Sequence, residues 1–145
     1  RTEVSTTSQF RPNEIECLLV NTTGELKYFY EPASVIFVGK SLTAEGGQNP
    51  IEPGALGKAM IFGPNMQNFK AIASGLIAKQ GAVQVENAAE LERVLGELLA
   101  SPPRCQELGR NALRVVRENM GSLERTVEMI VKHLHEEEIY VAPRP

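Results

Sequence analysis

The sequence has little cysteine, no excess of basic charge and no long apolar run, and each absence excludes a class of protein. Cys17 and Cys105 lie far apart, without a Cys-x-x-Cys pair or neighbouring histidines, so neither a disulfide framework nor a zinc site is indicated. Fifteen basic and 18 acidic residues are mixed along the chain and give a net charge of −3. This balance is not the electrostatic footprint of a nucleic-acid-binding protein.

A membrane span is not indicated either, because no apolar stretch approaches the roughly 20 residues that a transmembrane helix needs. The N-terminus lacks the layout of a signal peptide. We therefore expect this chain to be soluble, with reduced thiols, and to need no metal and no cofactor.

The length of 145 residues suits one domain with its own core. Residues 1–14 form a polar, aperiodic lead-in, strand-like and helical segments alternate over 15–100, and a helical tail covers 101–145. Because the chain begins with Arg1 and a segment typical of an interior loop, we expect the domain to be incomplete at its N-terminus.

Short apolar runs predict four strands, at 15–20, 35–39, 59–63 and 82–85. Helical patterns separate them: one at 25–30 capped by Thr23, one from 64 closed by Gly81, and one capped by Asn87 and Glu90. Two tail helices are predicted on either side of Gly121. The apolar stripes are Phe69, Ile72, Ala73, Leu76 and Ile77; Leu91, Val94, Leu95, Leu98 and Leu99; Leu108, Ala112, Val116 and Met120; and Leu123, Val127, Ile130 and Leu134.

Strands that alternate with helices predict an α/β fold, a Rossmann-like doubly wound parallel sheet ending in C-terminal helices. Because Tyr28, Phe29 and Tyr30 are adjacent, we expect some of these side chains inside and some near the surface, with core packing favoured. His133 and His135 do not share a helix face, so they indicate a solvated helix end rather than a metal site.

The segment 41–52, with the sequence SLTAEGGQNPIE, is the strongest indication of function. Gly46 and Gly47 allow a backbone to approach a ligand closely, while Asn49, Pro50 and Glu52 fit the N-cap, N1 and N3 positions of a helix. The free N–H groups of such a helix start suit a phosphate. Asn49 and Glu52 also fit a capping box, which needs no ligand.

A second loop, 21–25 (NTTGE), follows the first predicted strand as the glycine segment follows the second. Both loops then lie at the carboxyl ends of parallel strands, where ligands bind in sheets of this kind. We therefore predict that the two loops line one crevice.

The ordered segments 22–26 (TTGEL), 38–42 (VGKSL), 46–53 (GGQNPIEP), 63–64 (GP) and 68–69 (NF) together are specific, although each alone is weak. In this order they closely resemble the C-terminal half of the 3-deoxy-D-manno-octulosonic acid (Kdo) transferases. The resemblance implies the donor-binding half of a two-domain glycosyltransferase of the GT-B type. Such enzymes move Kdo from CMP-Kdo to a lipid A precursor at the cytoplasmic face of the bacterial inner membrane.

The resemblance also implies which residues contact the CMP part of the donor. Glu52 would hold the ribose hydroxyls, whereas Glu25 would meet the nucleotide or only favour the dipole of its helix. A second group would shape the loop, or would serve turn geometry alone. The CMP contacts are Thr23, Gly24, Glu25, Asn49, Pro50, Ile51 and Glu52, and the second group is Ser41, Gly46, Gly47 and Gln48.

Four positions depart from the family pattern, namely Asn21, Lys40, Gln48 and Ala59. Gln48 replaces a histidine, which can be charged, with a neutral amide, so the donor or acceptor variant is left open. The family's catalytic carboxylate lies in the N-terminal domain and a proline–arginine pair lies upstream, and neither has a counterpart here. We therefore expect no sugar transfer by this chain alone.

Two other functions fit the same residues. One is a different nucleotide-sugar enzyme, such as a UDP-sugar transferase or a 2-epimerase, which would prefer another base. The other is a flavodoxin-like interaction or regulatory module whose glycine loop has no ligand. In transferases of this architecture the final helices commonly cross to the partner domain, so we also expect exposed apolar surface and self-association of this chain.

Overall fold

The computed structural model describes residues 17–20 and 24–136, without the side chains of 122–126 and 133–136. Strands and helices alternate along this part of the chain, as the sequence predicts. The elements are α1 (Leu26–Tyr30), β1 (Val35–Phe37), α2 (Ile51–Ala55), β2 (Ala59–Phe62), a 3₁₀ turn (Gln67–Phe69), α3 (Lys70–Ala78), β3 (Val83–Gln84), α4 (Ala88–Leu99) and α5 (Pro102–Glu136).

The three strands form a parallel sheet in the order β1, β2, β3. In the register of the sheet, Ile36 is opposite Met60, and Ile61 is opposite both Phe37 and Val83. All four residues of the central strand β2 are buried, which explains why its sequence is continuously apolar rather than alternating.

Helices cover both faces of the sheet, and this confirms the predicted doubly wound arrangement. Met60 and Phe62 of β2 point to one face, where they pack with side chains of α3 and α5. Ala59 and Ile61 point to the other face and pack with Val94 and other side chains of α4. Successive residues of a strand alternate between faces, so one short strand anchors both halves of the core.

The first predicted strand is wrong for the residues that are described, because 17–20 have no regular secondary structure. Leu19 is 64% exposed, and among the described strands β1 pairs only with β2. An apolar run forms a strand when a neighbouring strand pairs with it and other side chains cover it. Residues 17–20 have neither among the described elements. The helix that follows, α1, has no buried residue, so the predicted core packing of Tyr28 and Phe29 is also wrong.

The tail is a single helix, α5, where two helices were predicted. Gly121 does not interrupt it, since a glycine inside a helix costs only about 1 kcal/mol relative to alanine. Leu108, Ala112 and Val116 are buried as expected. Met120, Val127 and Ile130 are exposed, so the apolar surface expected on the final helical segment is present, and the side chains of Leu123, His133, Leu134 and His135 lie outside the described set.

The end of α3 differs in detail from the prediction, whereas the start of α4 agrees with it. Helix α3 ends at Ala78, and the left-handed residue that follows is Gln80 (φ 53°) rather than Gly81, whose N–H bonds Leu76 O at 2.7 Å. Helix α4 is capped as predicted, with Asn87 Oδ1 accepting from Glu90 N at 2.9 Å. Ile77 and Leu99, predicted to face the core, lie at the exposed edges of their helical stripes.

Candidate functional site

The candidate site lies where β1 and β2 end, in two segments that we call the glycine loop (residues 39–50) and the β2–α3 turn (residues 63–69). Ser41 joins the two and is completely buried. Its hydroxyl donates to Val38 O at 2.6 Å and accepts from Gly63 N at 2.8 Å, and its carbonyl accepts from Asn65 N at 3.0 Å. This one side chain therefore fixes the distance between the ends of two neighbouring strands.

The glycine pair needs glycine for both conformation and space. Gly46 and Gly47 have φ values of +100° and +65°, in the left-handed region that residues with a side chain rarely adopt. A Cβ on Gly47 would lie 2.5 Å from the sulfur of Met66, and one on Gly46 would lie 2.7 Å from Asn68 Nδ2. The glycine loop therefore packs its backbone directly against the β2–α3 turn.

The cap of α2 differs from the predicted one. The helix begins at Ile51 with Pro50 as the N-cap residue, one position later than expected. Asn49 Oδ1 accepts from Ile51 N at 2.9 Å, and Asn49 Nδ2 donates to Glu52 Oε1 at 3.2 Å. The predicted capping box thus appears in another form, in which Glu52 binds the Asn49 side chain instead of its backbone N–H. The cause is the short side chain of Asn49, which bonds the backbone two residues further on.

Several backbone N–H groups of the glycine loop and of the start of α2 donate no hydrogen bond to any described residue. They belong to Gly39, Lys40, Ser41, Leu42, Thr43, Glu45, Gly47, Asn49 and Glu52. The N–H groups of Gly46 and Ile51 are already used by side chains of the protein. Water can accept from the N–H group of an exposed residue such as Glu52, whereas the N–H group of a buried residue such as Gly47 needs another acceptor. An anionic ligand on the loop would supply that acceptor.

The second predicted loop is described only in part, because Thr23 and Asn21 lie outside the described residues. Gly24 has a φ of +84° with open space around its Cα, and the exposed Glu25 precedes α1 without a side-chain capping bond. Helix α1 packs against α2, which brings this helix to the glycine loop. The helix is only five residues long, so N–H groups rather than a large helix dipole would act on a ligand.

Tyr30 is a residue near the site that sequence reasoning assigned to the core. Partial burial, and secondly the negative charge of Glu52, raise the pKa of the Tyr30 hydroxyl. The phenol therefore stays protonated at neutral pH. Nothing in the run Tyr28 to Tyr30 marked which of the three aromatic residues would lie within electrostatic reach of Glu52.

A cavity of about 290 Å³ lies among the start of α2, the β2–α3 turn, α3 and α5, and it offers room for a small ligand. Lys70 contributes a positive charge there, and within the described part of the chain no carboxylate lies within 4 Å of its ammonium group. Among the described residues no group of three histidine, cysteine or acidic side chains could hold a metal ion. The residues lining the cavity are Ile51, Asn68, Phe69, Lys70, Ala71, Ile72 and Asn119.

No helix in the described part of the chain combines the length and the apolar character needed to cross a bilayer. No model of a protein family matches the sequence.

Several curated proteins are similar to the chain. It is 36% identical over 125 residues to the 3-deoxy-D-manno-octulosonic acid transferase of Haemophilus influenzae and 35% identical over 116 residues to that of Bordetella pertussis. A bifunctional glycosyltransferase/methyltransferase of Fusobacterium nucleatum is 35% identical over 78 residues. The first two matches cover 85% and 80% of this chain but 29% and 27% of the relatives, so the chain spans less than a third of their length.

A solved structure connects the sequence similarity with the fold. The C-terminal CMP-Kdo binding domain of WaaA from Acinetobacter baumannii superposes with a TM-score of 0.63 and is 29% identical in sequence. The match covers 67% of this chain and 51% of that one. The predicted fold class is thereby confirmed, and the chain belongs to the family of the 3-deoxy-D-manno-octulosonic acid transferases, with its similarity in their C-terminal domain.

Proposed function

We propose that this chain is the donor-binding part of a glycosyltransferase that moves Kdo from CMP-Kdo to a lipid A precursor in lipopolysaccharide biosynthesis. The proposal is supported by relatives that carry the name Kdo transferase and by a similar domain that is described as binding CMP-Kdo. The observation that carries it is the group of unpaired N–H donors at Gly47, Asn49 and Glu52, at the carboxyl ends of parallel strands.

In this proposal the phosphate of the donor accepts hydrogen bonds from the backbone of the glycine loop. Asn49 holds one carboxylate oxygen of Glu52, so the other oxygen, Oε2, can accept from the ribose hydroxyls. Glu25 is exposed and forms no side-chain capping bond, which leaves its carboxylate available to the nucleotide. Thr23, Gly24, Pro50 and Ile51 complete the proposed contacts, while Ser41, Gly46, Gly47 and Gln48 shape the loop.

The proposal assigns donor binding to this chain and leaves the chemical step to another part of the longer transferases. Transfer requires a base within hydrogen-bond reach of the attacking acceptor hydroxyl, and the family resemblance puts that carboxylate in the N-terminal domain. We therefore expect the 145-residue chain to bind CMP but to transfer no sugar. The acceptor, a lipid A precursor, and the place of work at the inner membrane belong to the full-length protein in this proposal.

An amide chemical-shift titration of the folded chain with CMP, and with UMP and AMP for comparison, tests the proposal. We expect shifts that are selective for CMP at Gly24, Glu25, Asn49 and Glu52. A preference for UMP at the same residues would favour a UDP-sugar enzyme. A well-dispersed spectrum that responds to none of the three nucleotides would contradict nucleotide binding by this chain and would favour an interaction module.

A further inference from the structure

We propose that Gln67 is a positioning residue, which holds the glycine loop in the conformation that binds the donor phosphate; this inference rests on the proposed function. Gln67 belongs to the β2–α3 turn, and its side-chain oxygen Oε1 accepts a hydrogen bond of 2.8 Å from the backbone N–H of Gly46. The contact joins the tip of the loop to a residue 21 positions further along the chain. Neither its spacing nor the type of residue made it visible in the sequence.

The tip of the loop depends on the turn because the loop has few hydrogen bonds of its own. Within the loop, Gln48 N donates to Gly39 O at 3.1 Å and Ala44 N donates to Lys40 O at 3.3 Å. At the tip, both backbone groups of Gly46 are bonded to the turn: its N–H to Gln67 Oε1, and its carbonyl to Asn68 N at 3.3 Å. Gln67 and Asn68 thus hold Gly46 from both sides of its Cα.

These two bonds set the direction of the next donor along the chain. The carbonyl of Gly46 and the N–H of Gly47 belong to one peptide group, and in a trans peptide they point to opposite sides. Since the carbonyl points to Asn68 N in the turn, the Gly47 N–H points away from the turn and has no acceptor among the described residues. The bonds that fix Gly46 therefore present an unpaired donor on the other side of the loop.

The amide group of Gln67 suits this task because it is a neutral acceptor. Two successive glycines with positive φ have many other conformations available, so the loop would lose its single geometry without the Gly46 bond. A carboxylate at position 67 would accept the same bond but would add a negative charge beside the proposed phosphate. Gln67 is exposed, so changing it leaves the core intact.

Two substitutions separate these effects, Gln67→Ala and Gln67→Glu, and the exposed Gln106 of α5 supplies the matched control Gln106→Ala. Each protein is titrated with CMP and with cytidine, while the amide shifts and hydrogen exchange of Gly46 and Gly47 and the melting temperature are recorded. For Gln67→Ala we expect faster exchange at Gly46 and CMP binding weaker by about three- to tenfold, with an almost unchanged melting temperature. For Gln67→Glu we expect an unchanged hydrogen-exchange rate of the Gly46 amide, weaker CMP binding and unchanged cytidine binding.

The outcomes distinguish this inference from the proposed function. If Gln67→Ala keeps the CMP affinity and the Gly46 amide exchange rate of the unsubstituted chain, Gln67 does not position the loop, while the proposal of donor binding stands. If all three Gln67 and Gln106 proteins lose affinity in parallel with melting temperature, the effect is one of stability, and the positioning role is overturned. If the unsubstituted, folded chain binds no CMP, both proposals fail.

Discussion

Single residues of the glycine loop have local tasks that do not compete with a ligand. Asn49 uses its oxygen to cap Ile51 N and its amide to hold Glu52. The sequence left open whether Asn49 and Glu52 form a cap or bind a ligand. The geometry allows both, because the cap occupies only Oε1 of Glu52 and leaves Oε2 without a hydrogen bond to a described residue.

Glu52→Gln tests the ribose contact. A hydrogen bond to a charged acceptor contributes about 1.5–3 kcal/mol and one to a neutral acceptor about 0.5–1.5 kcal/mol. Because glutamine keeps a neutral acceptor, we expect cytidine binding to weaken by about tenfold. Cytidine is the better ligand for this test, since removing the Glu52 charge also relieves repulsion of the CMP phosphate. The exposed Glu92 of α4 gives the control Glu92→Gln. Unchanged cytidine affinity would exclude Glu52 as the ribose acceptor.

The same substitution should lower the pKa of Tyr30. Burial is the larger cause of the raised pKa and the charge of Glu52 the smaller one, so the value should fall toward 10.0 without reaching it. A titration of the tyrosine ring carbons by NMR measures this change. A Tyr30 pKa that does not respond to Glu52→Gln would mean that the two side chains are not close in solution.

At the scale of elements, the sheet and helix α5 decide where the loops are. Strand β2 was predicted well because its residues are apolar on both faces, a pattern that is typical of a covered parallel strand. The run at 15–20 has similar residues but no partner strand among the described elements, and a strand depends on its neighbours. The link between Ser41 and Gly63 also depends on tertiary contact, since these residues are 22 positions apart.

A pair of alanine substitutions tests how α5 packs against the rest of the domain. Gly109 lies in α5 against the loop after α2, where an added Cβ would lie 1.9 Å from Gly57 O. Gly109→Ala should therefore cost at least about 2 kcal/mol in unfolding free energy, because backbone atoms must move apart. Gly96 lies in α4 with open space around it, so Gly96→Ala should stabilise the protein by about 0.5–1 kcal/mol.

Urea unfolding of both glycine variants measures the two effects against the unsubstituted chain. Both changes add one methyl group to a helix. The changes in unfolding free energy should have opposite signs because the new methyl group meets backbone atoms at position 109 and open space at position 96. A stabilised Gly109→Ala protein would show that α5 does not lie directly on the loop at Gly57.

At the scale of the whole molecule, the exposed apolar side of α5 is the main unexplained surface. Val127 and Ile130 are 52% and 54% exposed, and Met120 is 65% exposed. They are separated by seven and three positions, so they lie on one side of the helix. The described side chains of α5 that are buried end at Val116, so the sheet does not cover this side.

Self-association through this side of α5 remains our prediction for the isolated chain. Sedimentation velocity should show a mass that rises with protein concentration. Val127→Glu combined with Ile130→Glu should weaken association by at least about tenfold, since each buried aliphatic side chain contributes about 1.5–3 kcal/mol. Glu128→Gln, on the same helix, is the control. A monomer at every concentration would contradict the prediction.

Four features could be predicted from the amino-acid sequence: the fold class, the central strands, the cap of α4 and the position of the glycine loop at the end of a strand. These features follow from local chemistry, because strand pattern, cap residues and paired glycines act within a few positions. The sequence could not determine that Gln67 bonds Gly46, that Tyr30 lies near Glu52 or that α5 extends beyond its buried part. These features follow from the tertiary fold, because each depends on which residues from distant parts of the chain come together. A local sequence pattern does not show which distant residues are in contact.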